Sequence, residues 1–358
     1  MSPRSSSLAL IRQLCAELSK RDVLWCEPTG QAVPGWFSNG SSDLDVLVRS
    51  ADTERFSEAV QGLDFKRAFP VAALEPPGVE HYCGYDPQSD RIVRLRARFR
   101  PELGDAAPGL RGAFPAEPGE AGRDGEGRGR MRLLSGGALI AVVGADGAGK
   151  STALEALHRW LSPHFRVETI HMGKPTWSWS TFPIKAALKV GRVSGMLRGW
   201  RPSAGPPSAD ERVDVGWLIW QVVTARDRYR AYRRAKRLAA RGTLVLCDRF
   251  PLPEIQSMDG RRTGSLSEAS QTWPTRPLLR LEERYYATIA PPDLLLVLSV
   301  DPELARRRRP EDPEDRVRQR AQEIREVDWN ATGAHVFDAA RTMSEVHQSL
   351  KSWIWTRL

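Results

Sequence analysis

Residues 138–152 read ALIAVVGADGAGKST, and this stretch decides the fold. Ala138–Val143 is an unbroken apolar run of strand length. Lys150–Leu161 follows with Leu154, Leu157, Trp160 and Leu161 at helical spacing. Between them, Gly144-Ala-Asp-Gly-Ala-Gly149-Lys150-Ser151 satisfies GxxxxGK[ST], the P-loop pattern, in its strand–turn–helix context. Glycines let backbone N–H groups turn inward around phosphate oxygens, and the helix N-terminus adds partial positive charge. The pattern assigns Gly144, Ala145, Asp146, Gly147, Ala148, Gly149, Lys150, Ser151 and Thr152 to ATP. Lys150 is expected on the β/γ-phosphates and the Ser151 hydroxyl on Mg²⁺.

Outward from this motif the chain alternates. Strands are expected at Val167–His171, Thr243–Cys247, Leu294–Val300 and Ala334–Phe337. Helices are expected at Val213–Arg241, Leu278–Ile289, from Pro302, and at Ser344–Trp355. Near-continuous apolar strands separated by helices predict a doubly wound parallel sheet of about five strands, covered on both faces. Before it, Ser5–Lys20 and Thr53–Gly62 read as helices, and Val23–Glu27, Leu44–Val48 and Arg91–Phe99 as strands, a small mixed α/β domain. Residues 101–137 hold 14 Gly or Pro among 37 positions and read as a flexible linker. The expected division is therefore 1–100, 101–137 and 138–358.

Composition sets the outer bounds. The chain has 358 residues, 53 Lys+Arg against 44 Asp+Glu, and a net charge of +9. Only 8 of those cations are lysine, a bias that discounts the basic balance as a sign of a nucleic-acid or membrane partner. Four cysteines stand far apart with no CxxC pair, which argues against a zinc site or a disulfide framework. No apolar run approaches the ~18 residues of a membrane helix. Met1–Ser7 and the short apolar stretch Leu8–Ile11 lack a secretory h-region, so a cytoplasmic protein is expected.

Three further pieces belong to the phosphate site. Asp248-Arg249-Phe250 follows the strand Thr243–Cys247, at the end where parallel sheets bind ligands. On the long helix, Arg226, Arg230, Arg233, Arg237 and Arg241 share one side, the pattern of a solvated face. Arg228 lies opposite, amid Gln221, Thr224, Ala225, Tyr232, Ala235 and Ala239, and an inward arginine needs an anion or an internal partner. Asp301-Pro302 looks like an N-cap and first helical residue, and the arginines up to Arg309 run into a Pro- and acid-broken segment suited to a mobile lid.

Taken together these residues resemble the thymidylate kinase family of P-loop nucleoside-monophosphate kinases. GADGAGKST is similar to that family's Asp-Gly version of the motif, and ARDRYRAYRRAKRLAARGTLVLCDRF (225–250) to its acceptor-helix-to-Asp-Arg segment. PPDLLLVLSVDPELARRR (291–308) resembles the approach to its lid, and VFDAARTMSEVHQSL (336–350) its closing strand and helix. The likeness covers 138–358, with insertions at about 173–212, which includes Trp177 and Trp179, and about 251–276. It implies an ATP- and Mg²⁺-dependent phosphotransferase acting on a nucleoside monophosphate or related small phosphorylated acceptor. Asp146, Arg228 and Arg249 would meet the acceptor, and Ser151 and Asp248 the metal. Lys150, Asp248 and Arg249 would be catalytic. The P-loop has no arginine, and the resemblance then implies that the lid would supply one, Arg309 or Arg316, with Arg306 and Arg308 as rivals. Thr224 stands where the family commonly has an aromatic residue, and the acceptor is left unnamed.

Ser42-Asp43-Leu44-Asp45 resembles the DxD strand of nucleotidyltransferase folds, whose carboxylates project from one strand face and share metal ions. Gly40-Ser41 stands too close to Asp43 for the turn such an enzyme needs, and Arg94, Arg96 and Arg98 occupy the candidate third-carboxylate strand. The whole chain resembles the thymidylate kinase-like group with such a domain at its N-terminus, here in degenerate form. A nucleic-acid 5′-end kinase and a non-catalytic, nucleotide-gated binding module are the alternatives. A nucleic-acid partner and a homodimer stay open.

Overall fold

The computed structural model describes residues 9–27, 42–71, 76–101, 129–173, 215–255, 260–263 and 275–358. Gly40-Ser41, Trp177, Trp179 and most of the expected linker lie outside the described residues. The chain divides into two compact units: Met1–Gly137 with Arg159–Arg166 and Gln348–Leu358, and Ala138–His158 with Val167–His347.

In the first unit, α1 (Ala9–Lys20), β1 (Trp25–Cys26), β2 (Asp43–Arg49), α2 (Thr53–Gly62), β3 (Lys66–Pro70), β4 (Val79–Asp86), β5 (Arg91–Arg100) and β6 (Met131–Leu133) follow in order. The sheet runs β1-β2-β5-β4-β3-β6, parallel only between β2 and β5. Alternation explains its two faces. β2 buries Leu44, Val46 and Val48 and turns Asp43 and Asp45 the other way. Those apolar residues pack with Val93, Leu95 and Ala97 of β5, Leu10, Ile11, Leu14 and Leu18 of α1, and Phe56 and Val60 of α2. Part of the Gly/Pro-rich stretch is thus strand: Met131–Leu133 pairs antiparallel with β3. Three residues are too few to leave a period in the sequence.

In the second unit come β7 (Leu139–Gly144), α3 (Lys150–Leu161), β8 (Val167–His171), α4 (Val215–Ala240), β9 (Leu244–Asp248), α5 (Thr275–Ala287), β10 (Leu294–Ser299), α6 (Pro302–Arg308), α7 (Glu314–Glu326), β11 (His335–Asp338) and α8 (Met343–Trp355). The five-stranded sheet runs β11-β10-β7-β9-β8, and every neighbouring pair is parallel. This is the α/β, doubly wound P-loop architecture the alternation predicts. All of β7 is buried, as a central strand covered on both faces must be. From β7 the chain moves to β8 on one side, and after β9 it crosses to β10 on the other. The P-loop therefore opens at the switch point, beyond the C-terminal strand ends.

The segment read as Pro- and acid-broken is helical from Glu314. Pro313 is the N-cap residue of α7 and Glu314 and Asp315 lie in its first turn, so these residues begin a helix here. The ends of α3 and α8 belong to the first unit, where Trp160 and Trp355 gather around Tyr85 with ring centroids 5.0 and 6.3 Å away. Among the described residues, no helix is long and apolar enough to cross a membrane.

Candidate functional site

The P-loop follows directly from β7. Gly147 and Gly149 have φ of +82° and +87°, the left-handed region that glycine adopts without steric cost. A Cβ on Gly147 would also lie 2.8 Å from the Ala305 carbonyl oxygen of α6. A Cβ on Gly149 would meet nothing within 4 Å, so its requirement is conformational and the space beside it is open. Lys150 is buried, and its Nζ donates to the Ala145 carbonyl at 2.7 Å, which draws the ammonium across the loop. Ser151 and Thr152 are exposed at the start of α3.

One strand over, β9 ends in Asp248, in register with His171 at the end of β8. Asp248 Oδ2 lies 3.6 Å from His171 Nε2. Its Oδ1 is buried and has no hydrogen-bond partner among the described residues, a costly state for a carboxylate oxygen that a cation or water would relieve. The Ser151 hydroxyl, exposed at the start of α3, is a second hard oxygen donor.

Arg249 comes next, with φ of +58°, a left-handed conformation uncommon for a residue with a Cβ. That backbone sends the guanidinium back to the P-loop, where Nη2 donates to Asp146 Oδ1 at 2.9 Å. Arg320 Nη1 donates to the other oxygen, Asp146 Oδ2. Burial alone would raise the Asp146 carboxyl, but the Arg320 hydrogen bond and the charges of Lys150, Arg249 and Arg320 outweigh it and hold it below the usual range.

Arg228 is buried on α4, on the inward face expected of it. Its Nη1 donates to the Tyr286 hydroxyl of α5 at 2.7 Å and its Nε to the Met172 carbonyl at 3.3 Å. Met172 N in turn donates to the Asp248 carbonyl, which ties Arg228 to the strand-end cluster. One turn before Tyr286, Glu282 is buried and accepts from the Thr263 hydroxyl. Burial pushes the Glu282 carboxyl up, against the opposing pull of Thr263, Arg261 and Arg228. The wall between α4 and α5 is polar and charged here.

The lid arginines separate. Arg309 pairs with Glu311 at 3.1 Å, both exposed, and Arg316 is exposed. Arg306 pairs with Glu303 at 3.4 Å and Glu314 at 3.7 Å. Arg308 Nη1 donates to the Ala339 carbonyl at 3.0 Å and reaches the Gly147 carbonyl at 3.4 Å. Arg308 and Arg320 are thus the two of this region brought to the P-loop. Arg320 escaped the sequence reading because α7 did. Once α7 is a helix burying Val317, Ala321 and Ile324, Arg320 flanks that stripe and Arg316 lies farther round toward water.

No protein-family model matches the chain. It is 28% identical over 224 residues to an uncharacterized ATP-binding protein of Escherichia coli K12, YghR, an alignment spanning 58% of this chain and 83% of that protein. The YghR protein of a second E. coli strain matches to the same extent. Among solved structures, a thymidylate kinase from Candida albicans aligns with a TM-score of 0.38 and 17% identity, over 62% of this chain and 92% of its own. The sheet order and the P-loop are those of a nucleotide-binding P-loop fold.

Proposed function

We propose that the second unit is an ATP- and Mg²⁺-dependent phosphotransferase, thymidylate kinase-like, acting on a nucleoside monophosphate or related small phosphorylated acceptor. The observation that carries this reading is the buried Oδ1 of Asp248, without a hydrogen-bond partner among the described residues and one strand from a formed P-loop. The name of the E. coli relative supports ATP as donor. The P-loop backbone and Lys150 would hold the β/γ-phosphates, with Lys150 leaving or sharing the Ala145 carbonyl. Asp248 and Ser151 would hold Mg²⁺, which when bound neutralises phosphate charge. Arg228 and Arg249 would clamp the acceptor's phosphate, and Arg308 and Arg320 would face the transferring group. Asp146 positions Arg249 and Arg320 by accepting from both. In the step itself, an acceptor oxygen forms a bond to the γ-phosphorus as the bridging P–O bond breaks and ADP departs with its electron pair.

The first unit, in this reading, binds a ligand and performs no nucleotidyl transfer. Both Asp43 oxygens accept from Arg94, Oδ1 from Nε at 2.6 Å and Oδ2 from Nη2 at 3.0 Å, so a metal ion would have to displace a guanidinium. The test is an ATP-consumption screen of the full chain over nucleoside monophosphates, phosphosugars and 5′-hydroxyl oligonucleotides. Acceptor-dependent ADP formation with a small phosphorylated compound is expected. Turnover with the oligonucleotides alone would contradict the acceptor class, and no acceptor-dependent turnover with any of the three would contradict the kinase reading.

A further inference from the structure

We propose that the outward face of α4 binds a single-stranded nucleic acid, a role that does not rest on the kinase reading of the P-loop. From Tyr229 to Arg241 the sequence YRAYRRAKRLAAR carries six cations and no Asp or Glu, in a chain with 44 acids against 53 cations. The exposed residues of this stretch are those six, Arg230, Arg233, Arg234, Lys236, Arg237 and Arg241, and Ala240. At about 100° per residue, Arg230, Arg233 and Arg237 form one row about 10 Å long, and Arg241 continues it just past the helix end. The row lies on the side of α4 opposite the buried Arg228, and so away from the acceptor groups proposed above.

A helix face that simply meets water is relieved by acids three or four residues from its cations. This protein does that on α7, where Arg318 pairs with Glu314 at 2.7 Å. On α4 those spacings hold like charges instead: Arg230 with Arg233, Arg233 with Arg237, Arg237 with Arg241, each pair working against the helix. The nearby carboxylates are engaged. Glu168 of β8 accepts from Arg234 at 2.6 Å, and Glu283 of α5 from Arg261 at 2.9 Å. Among the described residues, Arg230, Lys236 and Arg241 meet no carboxylate. Arg237 donates to the Arg233 carbonyl at 3.2 Å, and the Arg233 guanidinium lies 5.9 Å from the centre of the Tyr229 ring. A polyanion along the row neutralises several of these charges at once and releases its own counterions.

The aromatic neighbours favour a single strand. Tyr229 borders the row between Arg233 and Lys236, half-buried, with the Tyr285 ring of α5 5.7 Å away. Single-strand sites combine cations for the backbone with rings on which bases stack. A bilayer surface fits less well, because the exposed residues offer no apolar side chain larger than alanine to insert. An acidic protein would find no apolar anchor there either.

The experiment is fluorescence anisotropy of end-labelled oligo(dT) and oligo(U) of roughly 20 nucleotides, titrated with the full chain in EDTA, without ATP, over a range of salt. Affinity should fall with salt at a log–log slope of about −0.7 per cation neutralised, about −3 for the four of the row. Arg230→Gln, Arg233→Gln and Arg237→Gln should each weaken binding severalfold and make the slope shallower by about 0.7. Arg132→Gln, which removes an exposed arginine of the first unit, should change neither. Tyr229→Ala should cost about fivefold or more with the slope kept. Lys150→Ala should bind the oligonucleotides as the unmodified chain does, which separates this proposal from the kinase reading. Thermal melts of each variant show that the fold is kept. The proposal is overturned by no binding at ~50 mM salt, by row variants indistinguishable from Arg132→Gln, or by an unchanged affinity in Tyr229→Ala. Binding lost in Lys150→Ala would place the strand at the P-loop and overturns it too. So does tighter binding of phosphatidylserine vesicles or polyglutamate through these arginines.

Discussion

Arg249 and Arg228 are held in different ways around the end of β9. Arg249 holds a left-handed backbone at the mouth of the sheet, which costs a residue with a Cβ about 1–2 kcal/mol. Replacing it by glycine and by alanine separates strain from charge. Arg249→Gly should be the more stable of the two by about 1 kcal/mol in denaturant melts, while both lose acceptor binding alike. Equal stability would mean that the backbone relaxes when the guanidinium is gone. Arg228 carries its charge into the wall between α4 and α5 and keeps it there with Tyr286 and Met172. Lysine cannot reproduce that fork, so Arg228→Lys should weaken acceptor binding about ten- to 150-fold, the equivalent of about 1.5–3 kcal/mol. ATP affinity, titrated separately, should hardly change. Equal weakening of both ligands would put Arg228 in the donor site.

Among the elements, the turn between β2 and α2 shows how one carboxylate fixes several backbones. Asp52 is fully buried. It accepts from Leu24 N, just before β1, at 3.0 Å, from Nε and Nη2 of Arg49 at 3.0 Å, and from Arg55 of α2. Burial by itself would raise its carboxyl, yet the hydrogen bonds and charges of Arg49, Leu24 and Arg55 hold it below the usual range. A lowered folded value means stability present above the unfolded carboxyl's titration near ~3.9 and lost as pH falls through the folded one. Asp52→Asn should cost about 2–3 kcal/mol at pH 7 and flatten the stability loss below about pH 4. Melts that superimpose at pH 7 would contradict that role. Legibility in the sequence obeyed the same physics. β7 and α3 announced themselves through a continuous apolar run and a 3.6-residue period on either side of three glycines. β4 did not, because its eight residues VEHYCGYD include a glycine and polar positions that tertiary packing buries. α7 did not, because proline and acids can either break a helix or begin one, and the residues C-terminal to them decide which. The site shared this unevenness. Lys150, Asp248, Arg249, Arg228 and Asp146 stand on elements with strong periods, while Arg320 rides on the helix that was hidden.

At the scale of the whole molecule, a P-loop unit and a mixed-sheet unit share one chain whose net charge is +9. The positive charge lies in separate rows. One row faces water along α4 at Arg230, Arg233 and Arg237. Another gathers at the P-loop through Arg249, Arg308 and Arg320. A third lies along β5. Among the described residues, only the second adjoins the P-loop, where in the proposed reaction Lys150 would hold the donor. The most direct measurement is therefore γ-phosphoryl transfer from labelled ATP to the acceptor found by the screen, in the unmodified chain and in Lys150→Ala, with far-UV circular dichroism and a thermal melt on both. The account predicts a folded Lys150→Ala chain whose transfer falls by about a thousandfold or more, since one preorganised cation at the transferring charge is commonly worth ~10²–10³ in rate and ATP binding is lost besides. Undiminished transfer by a folded Lys150→Ala chain would contradict it.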